Sequence, residues 1–328
     1  DLVIVPSMAN QQFYKNYINK TIEKKVKRYF PKAKVEIASH HLCHAASSVF
    51  SCDYNEGSFL TLDNAGSILF DTIGNVFACE NHSFGYFNKK KNLFKYYPGI
   101  PMTNNLGNYY WLWAYHIYVN KIQKDIKLTD PYYRETFCGK VMGLSAYGNI
   151  KNLKKDWRTH FEGIPQVALE SLPGRDFSYG NLSPENKAKQ LQYNFENAML
   201  EYMKELKEKD YINDNLCLAG GVFLNILANS VLRKNNVVDN IHIPPFPDDT
   251  GLSFGAAAYG LFKNKEQVKL PHNISLFGKT YNDEEIEEAL GDTKYKKYDN
   301  FEELCEVTAK HLANNKIVGW FQNRSEFG

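Results

Sequence analysis

His40 and His44 stand four residues apart in the run His40-His41-Leu42-Cys43-His44-Ala45-Ala46-Ser47. On a helix that spacing puts two imidazoles on one face, about 5–6 Å apart at Cβ, close enough to share a metal ion. Asp63, closing the apolar run Phe59-Leu60-Thr61-Leu62, can add a carboxylate. The same residues also read as a helix cap, a satisfied core histidine and the polar end of a strand. Gly220-Gly221 separates a strand-like run, Leu216 to Ala219, from a helical one starting at Val222. Backbone N–H groups at such a turn suit a phosphate, although a lone glycine pair is more often a tight connector. Asp248-Asp249-Thr250-Gly251 reads as a ligand-facing turn, or either acid caps the following helix. Gly139 to Gly148 contains Lys140 and Gly143 among its glycines, which suits close approach of a ligand to the backbone or a helix terminus.

The elements that must position these residues alternate between strand and helix. Leu2 to Val5 and Val35 to Ile37 read as buried strands around a helix with apolar positions from Phe13 to Phe30, which Pro31 stops. The second strand delivers the histidines at its C-terminal end, where sites gather in open α/β sheets. Ser58 to Leu62, Ile68 to Thr72 and Val76 to Cys79 read as a three-stranded antiparallel meander, and residues 80–104 as loop. Such a meander, with a carboxylate near its first turn, opens actin-like domains and occurs in unrelated folds too. The aromatic face of a helix at Leu106 to Val119 fits a core. Ser183 caps a long helix with Pro184 in its first turn; Ile241 to Pro247 is extended, and Leu252 to Phe262 is a small-residue helix. Beyond a linker-like stretch at Lys263 to Pro271 come helices at Asp283 to Leu290 and Phe301 to Asn314, then a strand at Ile317 to Phe321.

With 328 residues, 43% hydrophobic and 23% charged, the chain sits in the range of globular proteins and suggests about two domains. A net charge of +2 gives no concentrated basic face for nucleic acid; Lys89-Lys90-Lys91 reads as a solvated loop. Six cysteines without a CxxC pair favour reduced thiols and a cytoplasmic setting. Neither an apolar run of about 18 residues nor a signal-peptide pattern is present, so no membrane partner is expected. The sequence opens at Asp1 and stops at Gly328, which reads as a fragment of a longer protein.

Taken together, HHLCHAAS at His40 to Ser47, FLTLD at Phe59 to Asp63, GKVMGLSAYG at Gly139 to Gly148, LAGGVFLN at Leu218 to Asn225, PPFPDDTGLSFGAAAYG at Pro244 to Gly260 and GWFQNRSEFG at Gly319 to Gly328 carry a resemblance. In order and spacing they resemble the O-carbamoyltransferases of nodulation-factor and antibiotic biosynthesis, the NodU/CmcH type. The resemblance implies an α/β actin-like (ASKHA) fold, two ribonuclease-H-like halves with mixed sheets and a central cleft. It divides the chain into a first subdomain at 1–180, a second at 181–265, and a linker with the start of a YrdC-like C-terminal domain at 266–328.

The chemistry it implies is formation of carbamoyl-adenylate from ATP, with Mg, and carbamoyl phosphate, then transfer of the carbamoyl group to a hydroxyl of a small molecule or sugar. Carried over by position, His40, His44, Asp63 and Asp249 resemble metal ligands, with Fe(II) the family's ion and Mn or Zn chemically suited to the same donors. Gly220, Gly221, Asn225 and Gly143 resemble nucleotide contacts. Lys140 and His41 stand as catalytic candidates, His41 either touching the intermediate or supporting a ligand. In this family a Glu commonly sits two positions before the Lys of the GKVMG string; here the place is Cys138. The expectation includes a homodimer and no nucleic acid. Rival readings are threonylcarbamoyl transfer to tRNA adenosine and a non-catalytic nucleotide-binding protein of the same fold.

Overall fold

The computed structural model describes residues 2–7, 12–64, 66, 68–70, 76–99, 106–121, 131–153, 181–268, 270 and 273–327. It divides into two compact units, Asp1–Leu270 and Pro271–Phe327.

Strand β1 (Leu2–Ser7), helix α1 (Gln12–Tyr29) and strand β2 (Lys34–Ser39) open the first unit, β1 and β2 pairing in parallel. The next helix, α2 (His40–Ser51), starts where Ser39 takes extended backbone and its side chain accepts from the Leu42 N–H, a cap that fixes where the first histidine falls. Ala45, Ala46 and Val49 let this helix lie buried at every residue but Leu42.

A five-stranded sheet forms the centre. In spatial order it is β7 (Leu93–Pro98), β6 (His82–Asn88), β3 (Glu56–Leu62), β8 (Asn215–Ala219) and β9 (Asn240–His242). The first three are antiparallel, while β8 and β9 run parallel to β3, which is the ribonuclease-H-like arrangement of a mixed sheet. Its strands run on both sides of the boundary expected at residue 180. The meander differs from expectation: β4 (Ile68–Phe70) and β5 (Val76–Cys79) form their own hairpin, and residues 80–104, expected as loop, supply β6 and β7. Period-2 reading placed strands at Ser58 to Leu62 and Val76 to Cys79, missed β6 and β7, and could not say which strand pairs with which, because any two have compatible backbones.

Side chains alternate across the sheet. Leu60, Leu62, Leu216 and Leu218 face a core formed with α3 (Leu106–Lys121), α4 (Pro131–Leu144), α5 (Pro184–Glu208) and α6 (Ile226–Lys234). Phe59 and Cys217 face the opposite way, with Phe87, towards α2 and α7 (Leu252–Lys263). The result is helix, sheet, helix. Trp113, 2% exposed, sits in the first core with Tyr109 and Tyr110, as the aromatic face of α3 led us to expect. Where α2 crosses α7, a Cβ on Gly255 would lie 1.9 Å from the Cys43 carbonyl oxygen, so glycine there sets how close the histidine-bearing helix can come.

Burial shifts two histidines of this unit. His82 is 8% exposed and held down to about 4 by desolvation; the less buried His242 is lowered to about 4 by desolvation and then by the Lys89 charge. Both lie below the ordinary histidine value, so the unfolded chain takes up protons that the folded one refuses as pH drops from about 6.5 to about 4. Stability should therefore fall across that window, by about 3 kcal/mol for His82 and less for His242. Urea midpoints measured between pH 7.5 and 4.5 check this, and His82→Gln should flatten the slope.

In the second unit, α8 (Asp283–Leu290) carries a capping box between Asn282 and Glu285, and α9 (Phe301–Ala313) is capped by Asn300. Neither helix has a buried residue. The strand expected at Ile317 to Phe321 is not formed; Ile317 is fully exposed there.

Candidate metal centre

Four side chains from three segments converge at the C-terminal end of β3. One turn of α2 places His40 Nε2 and His44 Nε2 3.1 Å apart. Asp63, one residue beyond β3, offers Oδ2 at 3.0 Å from His44 and 3.4 Å from His40. Its other oxygen accepts from the Asn64 N–H at 2.6 Å, which orients the carboxylate. Asp249 Oδ1 lies 3.3 Å from both imidazoles. It starts a one-turn 3-10 helix capped by Asp248, whose side chain accepts from the Thr250 N–H and hydroxyl. The choice between Asp248 and Asp249 is thus made by the turn: one caps, the next faces the histidines.

These four side chains suit a divalent cation. All four donor atoms lie within 4.8 Å of one another. Bonds of about 2.0–2.2 Å to one ion would place neighbouring donors about 3.0–3.4 Å apart, the spacing found among these pairs. Two Nε2 atoms facing each other need a shared proton or an ion between them, and two carboxylates complete a nitrogen and oxygen set suited to iron(II), manganese or zinc. His40 and His44 are buried, whereas the Asp249 side chain is 70% exposed, so the cluster is walled by protein except on the Asp249 side.

The electrostatics follow from this packing. Burial pulls His44 down, but the Asp249 and Asp63 carboxylates more than reverse it and raise it to about 9. Burial pushes Asp63 up, and hydrogen bonds from His40 and His44 outweigh that, leaving its carboxyl well below the usual range.

His41 points elsewhere. Its Nε2 lies 3.2 Å from the Glu80 carbonyl oxygen, which can only accept, so the proton is on Nε2; Nδ1 then accepts from the Thr61 hydroxyl at 2.6 Å. Thr61 in turn takes the Ser83 N–H. Burial lowers His41 to about 3, and Gly66 packs on the ring so closely that a Cβ would lie 2.2 Å from it. With both nitrogens engaged, the ring has no free base to offer.

The glycine turn reaches the cluster. Because β3 and β8 are parallel and in register at Thr61 and Ala219, the residues after each strand lie side by side. Gly220 has φ 104° and donates its N–H to the Pro247 carbonyl at 2.6 Å; a Cβ on Gly221 would lie 3.2 Å from Asp63 Oδ1. Asn225 caps α6 through the Ala228 N–H and exchanges amide hydrogen bonds of 2.9 and 3.0 Å with Gln192 of α5. Tyr110 and Glu196 complete that buried network, which the sequence reading missed because Gln192 lies mid-helix in no motif. Gln192→Leu should strand the Asn225 amide at a cost of about 1–3 kcal/mol, read as a lower calorimetric midpoint. Lys140 is exposed on α4, its ammonium 3.2 Å from the Tyr118 hydroxyl and above that ring rather than at the cluster. Gly143, expected beside the nucleotide, lies in α4 with open space around it.

A sequence model described as carbamoyltransferase N-terminus matches residues 6–258. The chain belongs to the carbamoyltransferase family. This carbamoyltransferase N-terminal region is 29% identical over 316 residues to the uncharacterized protein sll1178 of Synechocystis sp., covering 88% of this chain and 48% of that one. To Nodulation protein U of Sinorhizobium fredii it is 25% identical over 263 residues, covering 79% and 42%. The chain thus spans about half the length of the curated relatives it matches. Among solved structures it superposes on HypF of T. kodakarensis with TM-score 0.45 and 13% identity, over 84% of this chain and 42% of HypF. All four clustered residues fall inside the matched region, and no described helix is long and apolar enough to cross a membrane.

Proposed function

We propose that this chain is the transfer half of an O-carbamoyltransferase, moving a carbamoyl group from carbamoyl-adenylate, made from ATP and carbamoyl phosphate, to a hydroxyl of a small molecule or sugar. The observation that carries the reading is the convergence of His40, His44, Asp63 and Asp249 within the carbamoyltransferase match. These four would hold iron(II), or manganese or zinc, which when bound supplies a Lewis acid for charge developing on the carbamoyl and phosphate oxygens. The remaining chemistry belongs to the chain. With the Gly220 N–H spent on the Pro247 carbonyl, it is the Gly221 backbone, at the start of the following turn, that meets a phosphate beside Asp63. Asn225, held by Gln192, keeps that turn and α6 in place. His41 acts as a positioning residue, tying the first turn of α2 to β3 through Thr61 and to the Glu80 carbonyl.

The test uses the whole protein from which this chain comes, with iron(II), ATP, labelled carbamoyl phosphate and a panel of aminoglycoside, oligosaccharide and polyketide alcohols. Pyrophosphate should be released and label should reach an acceptor. Label that stays in carbamoyl phosphate across the panel, with no pyrophosphate, rejects the reading.

A further inference from the structure

A second cluster of reactive groups lies at the opposite end of α2 from the histidines. Cys52 follows the last turn of the helix, and Cys217 sits in the middle of β8, paired with Phe59 on one side and His242 on the other. Both thiols are free and buried in the same apolar cluster; Ser51, next to Cys52, hydrogen-bonds at 2.8 Å to His242, the strand partner of Cys217, which brings the two cysteines to one place, and the Cys52 thiol lies 3.2 Å from the Val49 carbonyl oxygen. Lys89, just after β6, reaches down on them: its ammonium donates to the Cys52 carbonyl oxygen at 2.6 Å and lies 3.6 Å from Cys52 Sγ. The Lys89 N–H bonds the Asn55 carbonyl at 2.7 Å, so the side chain is anchored at its root as well. Neighbouring Asp53 is exposed and Lys89 only half-buried, which puts Cys52 one residue from solvent.

The surroundings separate Cys52 from buried Cys43 and half-buried Cys138. Cys43 and Cys138 are pushed up to about 12 by burial, the state of inert core thiols. For Cys52 the Cys217 hydrogen bond and the Lys89 charge outweigh desolvation and bring it down to about 7, while burial and the bond to Cys52 hold Cys217 well above the ordinary range. A thiolate beside a cation, with a protonated thiol in contact, is the pairing of an attacking and a resolving cysteine.

We propose that Cys52 and Cys217, with Lys89 above them, form a redox-modifiable dithiol that takes a hydroperoxide as its oxidant. The Cys52 thiolate attacks the peroxide, forming an S–O bond as the O–O bond breaks and the departing oxygen leaves, protonated, as alcohol or water. The Cys217 sulfur then attacks Cys52, forming the S–S bond as the S–O bond breaks; the hydroxide leaves with the Cys217 proton as water. Two thiols lose two electrons and two protons, and the peroxide gains them. The cross-link ties the end of the helix that carries His40 and His44 to the strand that runs into Gly220-Gly221, and it requires nothing of the transfer reading.

The experiment is made on the full chain with Cys305→Ser, which removes the thiol that is exposed among the described residues. Reduced protein is treated with hydrogen peroxide, quenched with N-ethylmaleimide and mapped by mass spectrometry without reduction. A peptide pair joining Cys52 to Cys217, two hydrogens lighter than its parts and released by dithiothreitol, is the expected result. Lys89→Met should slow its formation about tenfold, the loss of about one pKa unit of thiolate. Cys217→Ser should leave a Cys52 sulfenic acid that dimedone traps. Oxidation of Cys43 or Cys138 ahead of Cys52, sulfinic acid on Cys52 with Cys217 still a thiol, or no oxidation at all overturns the proposal. If a variant fails to fold, the linkage map of the Cys305→Ser protein decides by itself.

Discussion

His44→Ala should remove metal binding from an otherwise folded protein. His44 is fully buried and touches both carboxylates and His40, so its loss takes away one donor and leaves Asp63 with His40 as its only histidine partner. Truncating a buried alkyl-sized ring also opens a cavity, but α2 is held along its length by Ala45, Ala46 and Val49, which the change does not touch. We expect affinity for iron(II) or manganese to fall by about a hundredfold or more, since even outer partners of ligands are worth 10–100-fold. Calorimetric titration of metal-free protein and elemental analysis of loaded protein read this directly. Exposed His311→Ala is the control and should bind as the parent does. Unchanged stoichiometry and affinity in His44→Ala would remove the metal centre from consideration.

Gly220→Ala should cost the fold more than any other single methyl at the site. The residue sits at φ 104°, where an L side chain is strained, and its new Cβ would lie 2.0 Å from the Leu62 carbonyl oxygen. Strain of about 1–2 kcal/mol and overpacking of about 1–3 kcal/mol act together. A loss of about 3 kcal/mol lowers the melting midpoint by roughly 6–12 °C for a unit of this size. Gly221→Ala makes the contrast. Its backbone is ordinary, and the added Cβ meets only the Asp63 carboxylate, Oδ1 at 3.2 Å and Cγ at 3.9 Å. That change should leave the midpoint within a few degrees and weaken metal binding instead, because the carboxylate must shift to make room. Calorimetry on both variants separates the two roles, and a larger midpoint loss at Gly221 than at Gly220 would contradict the geometry.

The cluster of two histidines and two aspartates was legible in unequal parts. The His40 and His44 pair is a local pattern: helical periodicity alone puts them on one face, and the Ser39 cap fixes the start of that helix. Asp63 followed from its place at the end of an apolar strand. For the second acid, local reasoning stopped at Asp248 or Asp249, because either can cap. Only the position of the 3-10 turn, set by the chain returning past Phe246 and Pro247, spends Asp248 on Thr250 and turns Asp249 to the histidines. His41 and Lys140 show the same limit from the other side. Both are chemically able residues in matching strings, yet the structure commits one to Thr61 and the Glu80 carbonyl and the other to Tyr118.

The fold divides along the same line. Most helix positions, the cap at Ser183 and the buried aromatic face of α3 depend on neighbours a few residues away and could be read from the sequence. Strand pairing was not so determined: Ser58 to Leu62 was expected to pair with Ile68 to Thr72 and pairs instead with β6 and β8. A strand's hydrogen-bonding edge is the same whichever partner arrives, so the choice is made by burial of both faces at once, which only the assembled chain provides. His40 and His44 were therefore given by spacing. That they face Asp63, Asp249 and the Gly220-Gly221 turn was decided by the parallel register of β3 and β8, which brings residues about 160 positions apart to one end of the sheet.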